Sequence, residues 1–248
     1  MKKKIISTIL MLTVFLNTSI IANAKTNDNL DQEIYNKLLN REETFVIDYD
    51  NVDILDKIEN ISKKDDYLNL SIKQMNCSVK TTIKNNNKTS ECTINMSYLA
   101  NKNQEEYVDQ AAQIIVNTII KPNMTEYEKV KTINSFLINY LSYDYSLSKF
   151  SAYDSLTTKQ SVCMGYTLTA YKLLEKSGIE NKIITGTLKG TPHSWNLVKV
   201  NNQWYHLDVT NNDSLGENKF LLVDNKTLLN YDFVWDTSLY PTVLNNYK

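Results

Sequence analysis

Residues 193–210 read His193-Ser194-Trp195-Asn196-Leu197-Val198-Lys199-Val200, then Asn201-Asn202, then Gln203-Trp204-Tyr205-His206-Leu207-Asp208-Val209-Thr210. Two runs rich in aromatic and β-branched residues flank an asparagine pair, and asparagine tolerates the positive φ angles of a two-residue hairpin turn. A turn there sets Val200 opposite Gln203, Trp195 opposite Asp208 and His193 opposite Thr210. His193, Trp195, Trp204, His206 and Asp208 then share one face, with His193 and Asp208 as diagonal neighbours within side-chain reach. A slip of one residue in register would part His193 from Asp208. An ordinary hairpin with a satisfied histidine and a surface aspartate fits the same pattern. His206 lies in the strand interior beside two tryptophans, which reads as packing or support.

Thirty residues before His193 stands Ser161-Val162-Cys163-Met164-Gly165-Tyr166. Val162, Tyr166, Ala170, Leu173 and Leu174 recur at helical spacing, and Gly178 suits the residue just past a helix end. Cys163 therefore falls in the first helical turn. Free backbone N–H groups and the positive dipole end there favour thiolate over thiol and can receive an oxyanion. A lone cysteine is also a common small buried hydrophobe. Cysteine, then histidine, then aspartate 15 residues further is the order nucleophile, base, orienter. All five glycines and both histidines lie between 165 and 216, so tight turns and titratable chemistry are concentrated in that stretch.

Further upstream, residues 30–39 read as a short helix, 44–49 as a strand and 52–61 as a helix. Residues 67–83 and 92–99 read as strands joined by a polar turn at Asn85-Asn86-Asn87. Together they suggest a small α+β region over 25–100. A helix over 105–120 ends at Pro122. Thr125, with Glu128 three residues on, forms a capping box for the next helix. A second domain is expected over 101–248.

Lys2 to Lys4 precede an apolar run, and Ala22-Asn23-Ala24 supplies small residues, the order of a secretory signal peptide over residues 1–24 cut after Ala24. Thr13, Asn17, Thr18 and Ser19 interrupt the run, which argues against an uncleaved anchor, so no membrane span is expected after cleavage. Without the leader's three lysines the chain holds 24 basic against 28 acidic residues. This mildly acidic body gives no reason to expect nucleic acid or an anionic membrane as partner. Arg41 is the only arginine, which disfavours a bidentate phosphate clamp. Cys77 and Cys92 fall roughly opposite each other in the first region, as a disulfide or as two half-buried thiols. One cysteine and two histidines without Cys-x-x-Cys or His-x-x-x-His spacing point to no metal and no cofactor. Calcium-binding and phosphate-binding loop motifs are absent from the sequence.

Ala152-Tyr153, Val162-Cys163-Met164-Gly165-Tyr166, Gly178-Ile179, Thr185-Gly186, His193-Ser194-Trp195-Asn196-Leu197-Val198 and Trp204-Tyr205-His206-Leu207-Asp208-Val209-Thr210 occur in an order that resembles the bacterial transglutaminase-like proteins. The resemblance covers roughly 105–240. It implies a papain-like α+β core, with the cysteine on a helix packed on an antiparallel sheet that bears histidine and aspartate. It also implies Cys163, His193 and Asp208 as a catalytic triad. Two positions depart from the pattern. Lys159-Gln160-Ser161 stands where a glycine is often seen, and Asn211-Asn212-Asp213 follows where tryptophan and acids are common. Both touch the expected cleft wall. The implied activity is that of a secreted thiol acyltransferase or hydrolase acting on a glutamine carboxamide or peptide bond. A protein or peptide substrate, cell-wall peptides included, is the expected partner. A cysteine protease or amidase and a catalytically silent binding domain are the alternatives, since a fold does not guarantee activity. Trp195 is a candidate substrate contact, with hydrophobic packing as its other reading.

Overall fold

The computed structural model describes residues 29–48, 53–84, 87–216 and 218–248. The leader and its cleavage site lie outside them, as do Tyr49, Val52, Asn85 and Asn86. The chain divides into two units. One runs up to Leu68 and includes Met75–Met96; the other comprises Asn69–Gln74 and Ser97–Lys248.

The early elements are α1 (29–39), β1 (Thr44–Asp48), α2 (Ile54–Ser62), α3 (Asp66–Ser71), β2 (Ile72–Lys84) and β3 (Asn87–Tyr98). The strands form a sheet in the order β1-β3-β2, with β1 antiparallel to β3. Ile34, Leu38, Phe45, Ile47, Ile58 and Ile94 are buried. The expected strand from Tyr67 begins instead as α3. Asp65 decides this locally, because its carboxylate accepts from the Leu68 N–H at 2.9 Å and satisfies a donor of the first helical turn. Cys77 and Cys92 are unjoined thiols in hydrogen-bond contact, and burial, followed by the neighbouring Cys77, pushes Cys92 above the usual thiol range.

In the second unit α4 (Lys102–Ile119) starts three residues earlier than the apolar spacing suggests. Asn101 and Gln104 form a reciprocal capping box there, as Thr125 and Glu128 do for α5 (Glu126–Tyr140). A parallel pair, β4 (Ser142–Tyr143) and β5 (Gln160–Ser161), brackets α6 (Ala152–Thr158). Then come α7 (Cys163–Lys176), β6 (Asn181–Leu188), β7 (Thr191–Val200), β8 (Gln203–Leu207), α8 (Val209–Leu215), β9 (Leu221–Val223), α9 (Asn225–Leu229) and β10 (Phe233–Val234). The sheet runs β10-β6-β7-β8-β9, antiparallel at every neighbour. This is an α+β fold with helices packed on one antiparallel sheet.

Its core joins Val116, Ile133, Leu137, Tyr166, Ala170 and Leu173 from the helices to Ile184, Trp195, Leu197 and Leu207 from the sheet. Each fully buried leucine of this kind contributes about 2 kcal/mol. Gly165 lets the start of α7 lie tight on the preceding chain. A Cβ there would overlap the Ser161 hydroxyl and stand 2.8 Å from that of Ser155. Among the described residues no helix is long and apolar enough to cross a membrane.

The hairpin turns at Asn201-Asn202, with φ of 52° and 61°, and pairs Val200 with Gln203 as its residues predict. The ladder stops at Asn196–Leu207, short of the expected pairs of Trp195 with Asp208 and His193 with Thr210. The chain enters α8 instead, and Asp208 becomes the N-cap of that helix.

Candidate active site

Cys163 is the first residue of α7, so its position follows from the helix start at Val162. His193 comes from β7 and Asp208 from the end of β8. Two buried contacts lock β7 to α7. Ser194 Oγ donates to Thr167 Oγ1 at 3.2 Å, and Asn196 Nδ2 donates to the Thr167 carbonyl at 3.2 Å. Tyr166 of α7 donates to Asp213 of α8 at 2.7 Å. Helix, strand and following helix are thus tied at the points from which the three side chains project.

The structure brings these side chains together. His193 Nε2 lies 2.7 Å from Asp208 Oδ2. Asp208 is fully buried and His193 is 9% exposed. With Nε2 engaged, the other ring nitrogen, Nδ1, is left for the Cys163 thiol, which is in hydrogen-bond contact with the imidazole. Burial pushes Cys163 up, but the hydrogen bond and charge of His193, with the Ser194 N–H, outweigh it, and the thiol falls below its usual range. Burial alone would lower His193. The adjacent Asp208 carboxylate, then Cys163, overrides that and pushes it up to about 10. The two shifts belong to one coupled pair and favour thiolate beside imidazolium.

Residues 113–209 match the transglutaminase-like superfamily, and the match spans all three of these positions. That stretch of the chain is similar to the superfamily over 97 residues. Among solved structures it is similar to a TGase, at 14% identity over 67% of this chain and 50% of that one, with a TM-score of 0.39. It is similar also to a proposed cysteine protease from Cytophaga hutchinsonii, at 15% identity over 71% and 75%, with a TM-score of 0.40. The chain spans about half the length of that TGase. No curated protein matches it in sequence.

The thiol and imidazole open onto a cavity of about 390 Å3, whose wall includes Tyr143, Tyr145, Leu188, Lys189, Pro192 and Asn211. A larger hollow of about 590 Å3, walled by Val116, Pro122, Lys129 and Lys176, has no thiol or imidazole, so volume alone does not mark the site. Trp195 requires a correction. It is 1% exposed and belongs to the core, not to the cleft wall. Its ring lies against His193 at 5.8 Å, and its Nε1–H donates to His206 Nδ1 at 3.1 Å. His206 then donates from Nε2 to Asn225 Oδ1 at 2.9 Å. Burial holds His206 down at about 4, so it is a neutral packing residue. Trp204 is half-buried, with Lys182 and Lys199 over its ring.

Asn211, expected at the cleft wall from the sequence, also holds the Asp208 carboxylate, a contact that sequence reasoning missed. Its Nδ2 donates to Asp208 Oδ2 at 2.6 Å, and its backbone N–H donates to Asp208 Oδ1 at 3.0 Å. The reverse amide orientation would set two oxygens against each other, which fixes the assignment. Its place three residues after Asp208, the spacing of a capping box, was the available signal. Tyr143 and Tyr145 reach the cleft through β4. Asp144 between them accepts five hydrogen bonds from Ser146, Ser148 and Lys149, which hold its carboxyl well below the usual range. Among the described residues no cluster of three or more histidine, cysteine or carboxylate side chains is arranged to hold a metal.

Proposed function

We propose that this protein is an exported thiol acyl-transfer enzyme, with Cys163 as nucleophile, His193 as acid and base, and Asp208 as orienter. The observation that carries the reading is the buried 2.7 Å contact of His193 with Asp208, on an imidazole whose other nitrogen meets a thiol at a helix start. The thiolate attacks the carbonyl carbon of a glutamine carboxamide or a peptide bond. Negative charge moves to the carbonyl oxygen, where the free N–H groups of the first turn of α7 stabilise it. The imidazolium gives its proton to the leaving nitrogen, which departs as ammonia or an amine, and a thioester remains. Neutral His193 next takes a proton from an incoming amine or water, which attacks the thioester and releases the thiolate. An amine acceptor yields a new amide; water yields a carboxylic acid. Asp208 fixes the tautomer and stabilises the imidazolium throughout. The leader sequence supports export, and peptides outside the cell, cell-wall peptides among them, are the substrates this implies.

The test uses protein lacking residues 1–24, incubated with glutamine-bearing peptides and a labelled primary amine, with products read by mass. Label incorporation identifies an acyltransferase; deamidation or cleavage identifies a hydrolase. Cys163→Ala is expected to abolish every product while the circular dichroism spectrum stays unchanged. Iodoacetamide near pH 6 is expected to alkylate Cys163 far faster than in the unfolded chain. Undiminished turnover by the alanine variant, or alkylation no faster than that of an unfolded thiol, overturns the mechanism.

A further inference from the structure

Two tight turns flank β7, and they differ in chemistry. Asn201-Asn202, at the β7–β8 end, uses the residue type that positive φ favours. Lys189-Gly190, at the β6–β7 end, joins Leu188 to Thr191 with φ of 49° and 78°. Glycine suits its second position. A lysine at the first gives up the asparagine, aspartate or glycine that such a turn prefers. This turn borders the Cys163 cavity. Its backbone is pinned, because the Lys189 N–H donates to the Asp232 carbonyl at 3.0 Å.

Among the described residues Lys189 is the only lysine, arginine, aspartate or glutamate on the cavity wall, and no carboxylate pairs with it. Beyond Cys163 and His193, whose charges are set against the buried Asp208 carboxylate, Lys189 supplies the one fixed charge on the cavity wall. Tyr145 shares the wall and is 87% exposed, an unusual degree for a large ring. Its loop is anchored by the five hydrogen bonds to Asp144, and its ring meets Tyr143 edge-on at 5.2 Å. The cleft thus offers one unpaired cation and one open aromatic face beside the thiol, both on pinned backbone.

We propose that this cleft selects acidic peptides as acyl donors, with Lys189 meeting a carboxylate next to the reacting residue and Tyr145 supporting the adjoining hydrocarbon. The proposal rests on the acyl-transfer reading of Cys163 and names its substrate class. On a net-acidic body, Lys189 gives the carboxylate of such a donor a cation to meet at the mouth of the cleft.

The test uses glutamine peptides identical except for Asp, Ser or Lys beside the glutamine. Two readouts are taken: kcat/KM with the wild-type protein, and binding of the fluorescent peptides to the Cys163→Ala protein. The Asp peptide is expected to exceed the Lys peptide by about 10-fold in both, as attraction plus repulsion at one partly screened charge allows. The ratio is expected to fall with added salt, and Lys189→Glu is expected to reverse its order. A purely structural role for Lys189 would leave the order in place. Cys163-dependent turnover indifferent to peptide charge overturns the proposal and leaves the acyl-transfer reading standing. Charge-selective, Lys189-dependent binding without turnover upholds the recognition and overturns the reaction. Neither turnover nor binding overturns both.

Discussion

His193 and His206 flank the same tryptophan, and the surroundings of each drive it in opposite directions. Trp195 lies 5.8 Å from the His193 ring and donates a hydrogen bond to His206. Both histidines are buried, and burial alone lowers a histidine. His193 has a carboxylate 2.7 Å away and a thiol on its far side, and rises to about 10. His206 has an indole N–H and an amide oxygen, both neutral, and falls to about 4. A buried imidazole thus becomes a cation or a spacer according to whether its nearest oxygen carries a full charge. The comparison separates the reacting end of β7 from the part of the sheet that holds it in place.

The largest break in this comparison is His193→Ala. Turnover is expected to fall by about 10^4-fold or more, with the fold retained, because the thiol loses both its partner charge and its proton carrier. Unchanged single-turnover acylation in that variant would remove His193 from the mechanism.

His206→Leu is expected to act on stability. The buried Trp195 N–H loses its acceptor, at a cost of about 1–3 kcal/mol at pH 7 in urea denaturation, while turnover per folded molecule changes little. Its pH dependence sharpens the contrast. The unfolded chain protonates His206 near pH 6.5 and the folded chain resists until about 4, so stability is lost as pH falls through that window. The loss is on the order of 3 kcal/mol and levels off below the window. His193 has the opposite sign. Its contribution is complete below pH 6.5 and is lost as pH rises toward 10. The leucine variant is expected to lose the acid limb and keep the alkaline one; an acid limb of the same size in both proteins would refute the assignment.

Asn211→Leu is the smallest of these changes. Removing a donor from Asp208 Oδ2 makes that oxygen more basic, so it grips the imidazolium harder. A roughly 10-fold drop in turnover is expected, the low end for a hydrogen bond to a charged group, with the alkaline limb of kcat/KM displaced upward. A drop in rate without that displacement would mean that Asn211 only packs.

The sequence carried the helix start at Cys163, the Asn201-Asn202 turn and the capping box at Thr125, because each depends on residues close together in the chain. Helix period and hairpin register made Cys163, His193 and Asp208 candidates beside blander readings, and the resemblance to the transglutaminase-like proteins is what joined them as a triad. The ladder ends at Leu207 because Asp208 caps α8, a local competition that strand alternation does not reveal. Trp195 stood between substrate contact and packing in the sequence because period-two patterning gives the face of a strand but not what covers it. Phe233 and Trp235 cover it at 5.2 Å and 5.6 Å, from nearly forty residues downstream. Lys189 and Tyr145 went unread for a similar reason, since only the finished fold brings the β6–β7 turn and the loop after β4 to one cavity.

Asp208 holds two posts at once. Its Oδ1 starts helix α8 and its Oδ2 faces His193. The carboxylate is therefore aimed at the imidazole only when that helix is wound. With residues past 208 unwound, Asp208 loses its Asn211 N–H contact and the imidazole loses an aligned carboxylate. On the proposed acyl-transfer reading, reactivity is thereby tied to the winding of α8.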